Sequence, residues 1–454
     1  MHMHDEPISS HIKGRKSIFY FVLFCITGAL FVRDVLGVEI NKYLFLTGYI
    51  FAFFIFNFED ICGLLIFSAP LFYGLPNTYI YAIGAVFLLV KGYGSLNYRF
   101  LVFPLLLACQ ELLLAFSYPA IDMTDEVSFI SCLFMFAALL CSDRSRPRHF
   151  LLMYVLGVTC AFVIVVGNTG REVGYNVLLT GGIRLGYDAD AMNAIGSAAK
   201  GISLKFNPNE IGYFSIAAVA ISLLLFLKTQ TNRVLLGACS AVCVVSGLLS
   251  QSRTWLILFA LLVAVQLMVN IKSVEAMRRT FVIAVLCVLA AVVFLQANSD
   301  VWNQIVLRFK DGNLASAGGR TQLFSLYNQY LESNTFRFLF GSGAVGYKIV
   351  TGIPFSTHNG FQQLVVCFGV LGAAFFVAML CVALIKAKGG KSFSLNYWLP
   401  LFIVVLFIQS VQLVNPWTLM LPLVCGVAAI QMSPSCDCPA SHRTTTGRIK
   451  ASGK

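Results

Sequence analysis

One apolar stretch follows another along this chain, most of them separated by connections too short to be more than turns. In order they cover about 17–32, 43–58, 61–74, 77–91, 99–118, 127–141, 149–167, 207–228, 233–250, 253–270, 279–296, 359–385, 397–413 and 416–432. About 20 apolar residues carry an α-helix across the hydrocarbon core of a bilayer. Within that core every backbone N–H and C=O has to be satisfied by the segment itself. The pattern therefore predicts an all-α polytopic membrane protein with about 14 transmembrane helices (12–14), the third being short enough to re-enter or to fuse with a neighbour. Composition agrees, with 58% of residues hydrophobic and 11% charged, against roughly 25% charged in a soluble domain.

The first stretch follows Lys13, Arg15 and Lys16, lacks a small-residue cleavage site and is succeeded by further spans. It reads as an uncleaved first helix. The 14 cysteines lie almost entirely inside apolar stretches, and none falls in the two long polar loops at 168–206 and 297–357. They read as small buried hydrophobes, not as a disulfide framework. Cys436 and Cys438 form a lone CxC in the tail, which reads as inert.

The net charge of +12 is explained by where the cations lie. Lys91 and Arg99, then Arg144, Arg146 and Arg148, then Lys228 and Arg233 occupy alternate connections. Lys272, Arg278 and Arg279, then Lys386, Lys388 and Lys391, then Arg443, Arg448 and Lys450 continue the series. Such alternation is the positive-inside rule. It puts both termini and these connections in the cytoplasm, requires an even number of spans, and leaves no call for nucleic acid. The organisation that follows is a cytoplasmic tail over 1–16, a transmembrane bundle over 17–167, an outer loop over 168–206 and central helices over 207–296. A large outer loop over 297–357, C-terminal helices over 358–432 and a basic cytoplasmic tail over 433–454 complete it.

The two long outer loops break the charge rule. Arg171, Arg184, Lys200 and Lys205 lie in the first, and Arg308, Lys310, Arg320, Arg337 and Lys348 in the second. Arg33 and Lys42 share their outer turn with Asp34 and Glu39, whereas Arg253, in the short turn "SQSRTW", has no acidic company. Loops this long in a compact protein are usually functional. In the second, "RTQLFSLYNQYLES" (320–333) places Leu323, Leu326, Tyr327, Tyr330 and Leu331 at helical spacing, which predicts an amphipathic helix on the membrane surface or over a cavity. The glycine-rich turn "FLFGSGAVGY" (338–347) follows, and then His358–Asn359 at the lip of a span.

Of the six histidines, His2, His4, His11, His149 and His442 fall on the cytoplasmic side of this topology, and His358 alone on the outer. An imidazole titrating near 6.5 suits removal of a proton from a hydroxyl, and arginine forks suit phosphate oxygens. One base with several arginines at a membrane lip fits a lipid diphosphate donor and a hydroxyl acceptor, arginine stabilising the departing diphosphate in place of a metal. Plainer readings stand beside this one. A histidine at a helix start also serves as a hydrogen-bonded interface residue, and outer arginines also bind lipid headgroups or the loop carboxylates Asp188, Asp190, Asp300 and Asp311. Glu111, inside "CQELLLAF", is an ionisable group within a span, either functional or paired with a polar group of a neighbouring helix.

Five motifs in order add a resemblance. "KFNPNEIGYFSIAAVAISLLL" (205–225), "SQSRTWLILFALLV" (250–263), "GGRTQLFSLYNQY" (318–330), "FLFGSGAVGY" (338–347) and "STHNGFQQLVVCFGVLG" (356–372) resemble the bacterial O-antigen polymerase and O-antigen ligase superfamily. The likeness covers about 205–372, the first 165 residues matching only as generic spans. It implies a metal-independent, inverting GT-C type glycosyltransferase without cofactor. Its substrate would be an undecaprenyl-diphosphate-linked oligosaccharide at the periplasmic face of the bacterial inner membrane, with membrane lipids and a chain-length regulator as partners. The resemblance implies that His358 activates the acceptor hydroxyl and that Arg253 and Arg320 hold the donor diphosphate, with Arg184 as a third. Asn359, Asn207 and Asn209 would support helix starts, and Gly341 and Gly343 a tight turn. Ligases of this kind often carry a second histidine just before the His-Asn position; "PFSTHN" has none, which favours a polymerase. A glycolipid flippase is the remaining alternative, disfavoured because ionisable residues deep in the spans are confined to Glu111.

Overall fold

The structure, a computed structural model, describes residues 8–75, 77–142, 146–179, 183–186, 204, 206–229, 232–269, 320–414 and 420–434, with scattered positions between 274 and 306. The expected span at 279–296, apart from those scattered helical positions, lies outside the described residues, as do Lys200, Lys205, Arg308, Lys310, the four loop carboxylates, and Cys436 with Cys438.

The described elements are helices without a strand. In chain order they are α1 (Ile8–Asp34), α2 (Lys42–Ile55), α3 (Phe58–Ser68), α4 (Asn77–Lys91), α5 (Val102–Ser117), α6 (Met123–Cys141), α7 (Pro147–Val173) and α8 (Tyr175–Leu179). Then come α9 (Pro208–Lys228), α10 (Arg233–Leu249), α11 (Arg253–Val269), α12 (Arg320–Ser333), α13 (Thr335–Phe340), α14 (Tyr347–Thr351), α15 (Gly360–Lys388), α16 (Leu395–Ile408) and α17 (Leu421–Gln431). Starts are set by short polar side chains. Asn41, Asn57, Asp122, Asn207, Asn232, Asn334 and Asn359 each accept a hydrogen bond from a first-turn amide, satisfying donors that the helix itself leaves open.

Six segments are long and apolar enough to cross a membrane: Lys16–Asp34, Tyr98–Ser117, Met123–Cys141, Pro147–Val173, Pro208–Lys228 and Gly360–Lys388. Six further apolar helices have 10–17 residues. At 1.5 Å per residue a 14-residue helix is about 21 Å long, short of a hydrocarbon core about 30 Å thick. The expected third span is shorter still, an 11-residue α3 continued by a 3-10 turn over Ala69–Gly74. It is enclosed by protein, and Gly157 of α7 approaches so closely that a Cβ there would strike the Phe67 carbonyl. The helix expected to end at 167 continues to Val173, so Arg171 belongs to its last turn and not to a loop.

α9 is the axis of the bundle, with 89% of its apolar window buried, against 28% for α1 at the edge. Polar atoms tie the axis down where packing alone would leave it free to slide. Trp255 Nε1 of α11 donates to Ser215 Oγ of α9 (2.9 Å), and that hydroxyl donates to the Cys243 carbonyl of α10 (2.7 Å).

The connections divide between two ends. At one, Lys91 Nζ donates to the carbonyls of Phe53, Phe54 and Phe56 at 2.6–2.9 Å, Arg146 pairs with Glu59 at 3.1 Å, and Lys386 donates to the Cys141 carbonyl at 3.3 Å. Cations at helix C-termini complement the negative end of the helix dipole. The other end gathers the starts of α9, α11, α12 and α15, and His358 lies there.

Candidate functional site

The site is built at the start of α15. Asn359 caps the helix, its Oδ1 accepting from Phe361 N (3.0 Å) and Gln362 N (3.1 Å). Immediately before it, His358 has a left-handed φ of 51°, which turns the chain sharply out of the 352–357 strap and into the helix. Thr357 Oγ1 donates to the Asn359 carbonyl (3.2 Å). Gln363 Oε1 accepts from Leu413 N (2.7 Å) and Val414 N (3.1 Å), fixing the helix start against the segment that follows α16.

The amphipathic helix expected at 320–333 forms with those bounds as α12, and Arg320 is its first residue. Tyr327 and Leu331 are buried and Leu323 and Tyr330 half-buried, while Leu326, expected on the same face, is exposed. The burying surface is the His358 strap and α15 instead of lipid alone. Tyr327 OH donates to the Phe355 carbonyl (2.6 Å), and Gln362 Nε2 donates to both the Phe324 carbonyl (2.8 Å) and Asn328 Oδ1 (2.9 Å).

Arg253 opens α11 after a turn with a left-handed Gln251 (φ 50°). Ser252 Oγ donates to Asn209 Oδ1 (3.2 Å), and Thr254 Oγ1 shares a hydrogen bond with Ser410 Oγ (2.7 Å). Arg184 lies along the same turn, its Nε donating to the Ser250 carbonyl (3.1 Å), and Leu185 N donates to the Leu249 carbonyl (3.0 Å). Asn207 heads α9 with a capping box: Oδ1 accepts from Asn209 N (2.9 Å) while Asn207 N donates to Glu210 Oε2 (3.0 Å).

Charge unites these segments. Burial holds the His358 imidazole below its ordinary range, and the positive charges of Arg320 and then Lys348 push it the same way. The Arg320 guanidinium is lowered by burial first and by the charge of Arg253 second, yet guanidinium stays protonated in proteins. Arg320 is thus within electrostatic reach of both His358 and Arg253, residues far from it in sequence. Four helix N-termini add their positive dipole ends nearby. The arrangement offers an imidazole of lowered proton affinity within reach of fixed cations: groups able to take a hydroxyl proton and to hold an anion.

Gly341 and Gly343 support the site from deeper in the bundle. α15 is broken at Gly369 (φ 68°), which frees carbonyls one turn earlier. The "FGSG" turn fills the breach: Ser342 N donates to the Val366 carbonyl (2.8 Å) and Gly343 N to the Cys367 carbonyl (2.9 Å). The turn requires left-handed φ of 76° at Gly341 and 82° at Gly343. α5 clamps it, with Gln110 Nε2 donating to the carbonyls of Phe340 and Phe368, and Glu111 accepting from Ala344 N at 2.8–2.9 Å. Glu111 therefore holds a loop amide, and not a polar group of a neighbouring helix. Irregular backbone among membrane helices is tolerated where protein satisfies it in this way.

Gln362 is part of this end although nothing in the sequence singles it out, and Lys348 and Tyr327 stand out only as members of longer sets. Lys348 is one loop cation among several, and Gln362 reads as an ordinary first-turn residue. Among the described residues, no group of three or more His, Cys, Asp or Glu side chains is arranged to hold a metal ion. Compared with protein-family models, curated proteins and solved structures, the chain has no match.

Proposed function

We propose that the chain is an integral-membrane glycan transferase of the O-antigen polymerase type, working at the His358 end of its bundle. In this reading it lies in the bacterial inner membrane with that end periplasmic. It transfers a growing glycan from undecaprenyl diphosphate to the non-reducing end of another lipid-linked repeat. His358 takes the proton of the acceptor hydroxyl, and the oxygen attacks the anomeric carbon. The bond from that carbon to the diphosphate oxygen breaks, with inversion. Arg253 and Arg320 hold the diphosphate as charge develops on it, and Arg184 steadies the turn that presents Arg253. Neither metal nor cofactor has a part in these steps.

The observation that carries this reading is that Arg320 lies within electrostatic reach of both His358 and Arg253, on two other segments. A histidine serving only as an interface residue has no need of two cations, Arg320 and Lys348, that lower its proton affinity. A neutral base next to an anion-binding pair does.

The test is His358→Ala, at verified membrane level, in a strain lacking the native chain, with surface glycan resolved on a gel. Loss of long chains with core carrying one repeat retained is the expected result. Loss of even that single repeat would assign the chemistry to a ligase, and an unchanged ladder would end the proposal.

A further inference from the structure

We propose that the end of the bundle opposite His358 carries a binding site for the headgroup of an anionic phospholipid, between Arg99 and Lys386. The site is independent of the transfer chemistry. A cavity of about 480 Å³ opens there, its walls including Gly94, Ser95, Asn97, Tyr98, Arg99 and Lys386. Two of its lining residues are cations and none is acidic.

The cations of this end are not equivalent. Lys91 is committed to three carbonyls at the end of α2, and Arg146 is paired with Glu59. The exposed Arg99 has no ion pair among the described residues, and it faces the cavity. Gly94 (φ 87°) has nothing within 4 Å of where a Cβ would stand, so the loop presents bare backbone to the space. Lys386 reaches the cavity from the last turn of α15.

What lies beneath the cavity argues for a lipid and against a free ion. α5 and α15 descend from it side by side, with Phe103 and Phe375 in ring contact at 6.5 Å. Val102, Leu105, Leu106 and Leu113 on α5, and Val377 and Ile385 on α15, are exposed. Apolar surface on a membrane helix directly below a cationic cavity is where acyl chains lie while a phosphate sits above. Tyr93 and Tyr98, both exposed with rings 6.4 Å apart, flank the opening at the level where aromatic residues meet lipid headgroups. Basic pockets between membrane helices recognise anionic headgroups in this way.

The full-length protein, purified in detergent, would be titrated with phosphatidylglycerol and with phosphatidylethanolamine and read by native mass spectrometry. The expected result is roughly tenfold or tighter retention of the anionic lipid, a preference that Arg99→Gln cuts to a few-fold at most. That exposed side chain can be changed without disturbing the Lys386 contact, and Arg99→Gln/Lys386→Gln should remove the remainder. Equal retention of the two lipids, or an unchanged preference in both variants, would overturn the proposal. So would displacement of phosphatidylglycerol by millimolar inorganic phosphate, which would make this an anion site with no use for a lipid.

Discussion

His358 and Gln251 share a backbone state found at no other non-glycine position among the described residues, with φ of 51° and 50°. Each stands two residues before the first residue of a helix, α15 and α11, and both helices begin at the candidate site. Strain of this kind persists where surrounding structure fixes it, and it concentrates at functional sites. The pairing separates backbone from chemistry at His358. Asparagine visits the left-handed region readily and carries no base, whereas a β-branched residue is penalised there. His358→Asn should therefore fold and melt like the parent in detergent yet make no long glycan. His358→Val should lose activity and also about 1–2 kcal/mol of stability. Long chains from the asparagine variant would remove the imidazole from the mechanism.

Gln362 ties the helix that follows His358 to the helix that Arg320 begins. Its amide nitrogen spans from α15 to the Phe324 carbonyl and Asn328 of α12, and Arg320 stands at the head of that helix. Gln362→Leu leaves α12 held to the strap through Tyr327 and Phe355. The expected cost is about 1–3 kcal/mol for the unpaired buried groups, with transfer in proteoliposomes falling about tenfold or more at unchanged membrane level. Gln362→Glu is the companion variant: when ionised it keeps the shape but cannot donate, so at alkaline pH it should fail alike. Full activity in both would show that Arg320 is placed by something else.

The turn at Gly341 and Gly343 makes a graded prediction. A Cβ at Gly341 would collide with the backbone of Cys367 and Gly369, which cannot yield, whereas at Gly343 it would meet Glu111 Oε2 at 3.2 Å. Gly341→Ala should fail to accumulate in the membrane. Gly343→Ala should accumulate with about 1–2 kcal/mol lost to the left-handed φ. Glu111→Gln retains an acceptor for Ala344 N and should be close to wild type in both stability and activity. Glu111→Leu strands that amide, at about 1–3 kcal/mol. An inactive but stable Glu111→Gln would give this carboxylate a chemical role.

These residues also mark how far the sequence can be read. The bounds of α12 and the start of α15 follow from local signals, an apolar period and an Asn cap, and such signals act over a few residues. The break at Gly369 does not announce itself, because "VCFGVLGAAFF" is uniformly apolar and Gly is common in membrane helices. What permits the break is the Ser342 and Gly343 amides that capture the freed carbonyls, a pairing made by the fold and invisible to periodicity. Burial is equally non-local. α3 has the hydropathy of a span, but its short length and enclosure by α7 and other helices make it core. Arg253 and Arg320 stand out as cations placed against the charge rule, while Lys348 breaks the same rule and is distinguished by its reach to His358 alone.

That reach makes the final prediction one of pH. Burial, Arg320 and Lys348 in turn lower the proton affinity of His358. The imidazole in the folded chain therefore takes up its proton at lower pH than an ordinary histidine, which titrates near 6.5. An initial-rate profile of transfer in proteoliposomes should have its acid limb below 6.5. Lys348→Gln removes one of the opposing charges, so His358 protonates more readily and the acid limb should move up towards 6.5. Lys348→Arg should leave the limb in place. The stability linkage has the same sign: below about 6.5 the unfolded chain takes up a proton that the folded site resists. Stability should accordingly be lost as pH falls from 6.5 through the folded value, and less of it in Lys348→Gln. A limb that stays fixed in Lys348→Gln would mean that another group governs the acid side, and His358 would lose its place as the base.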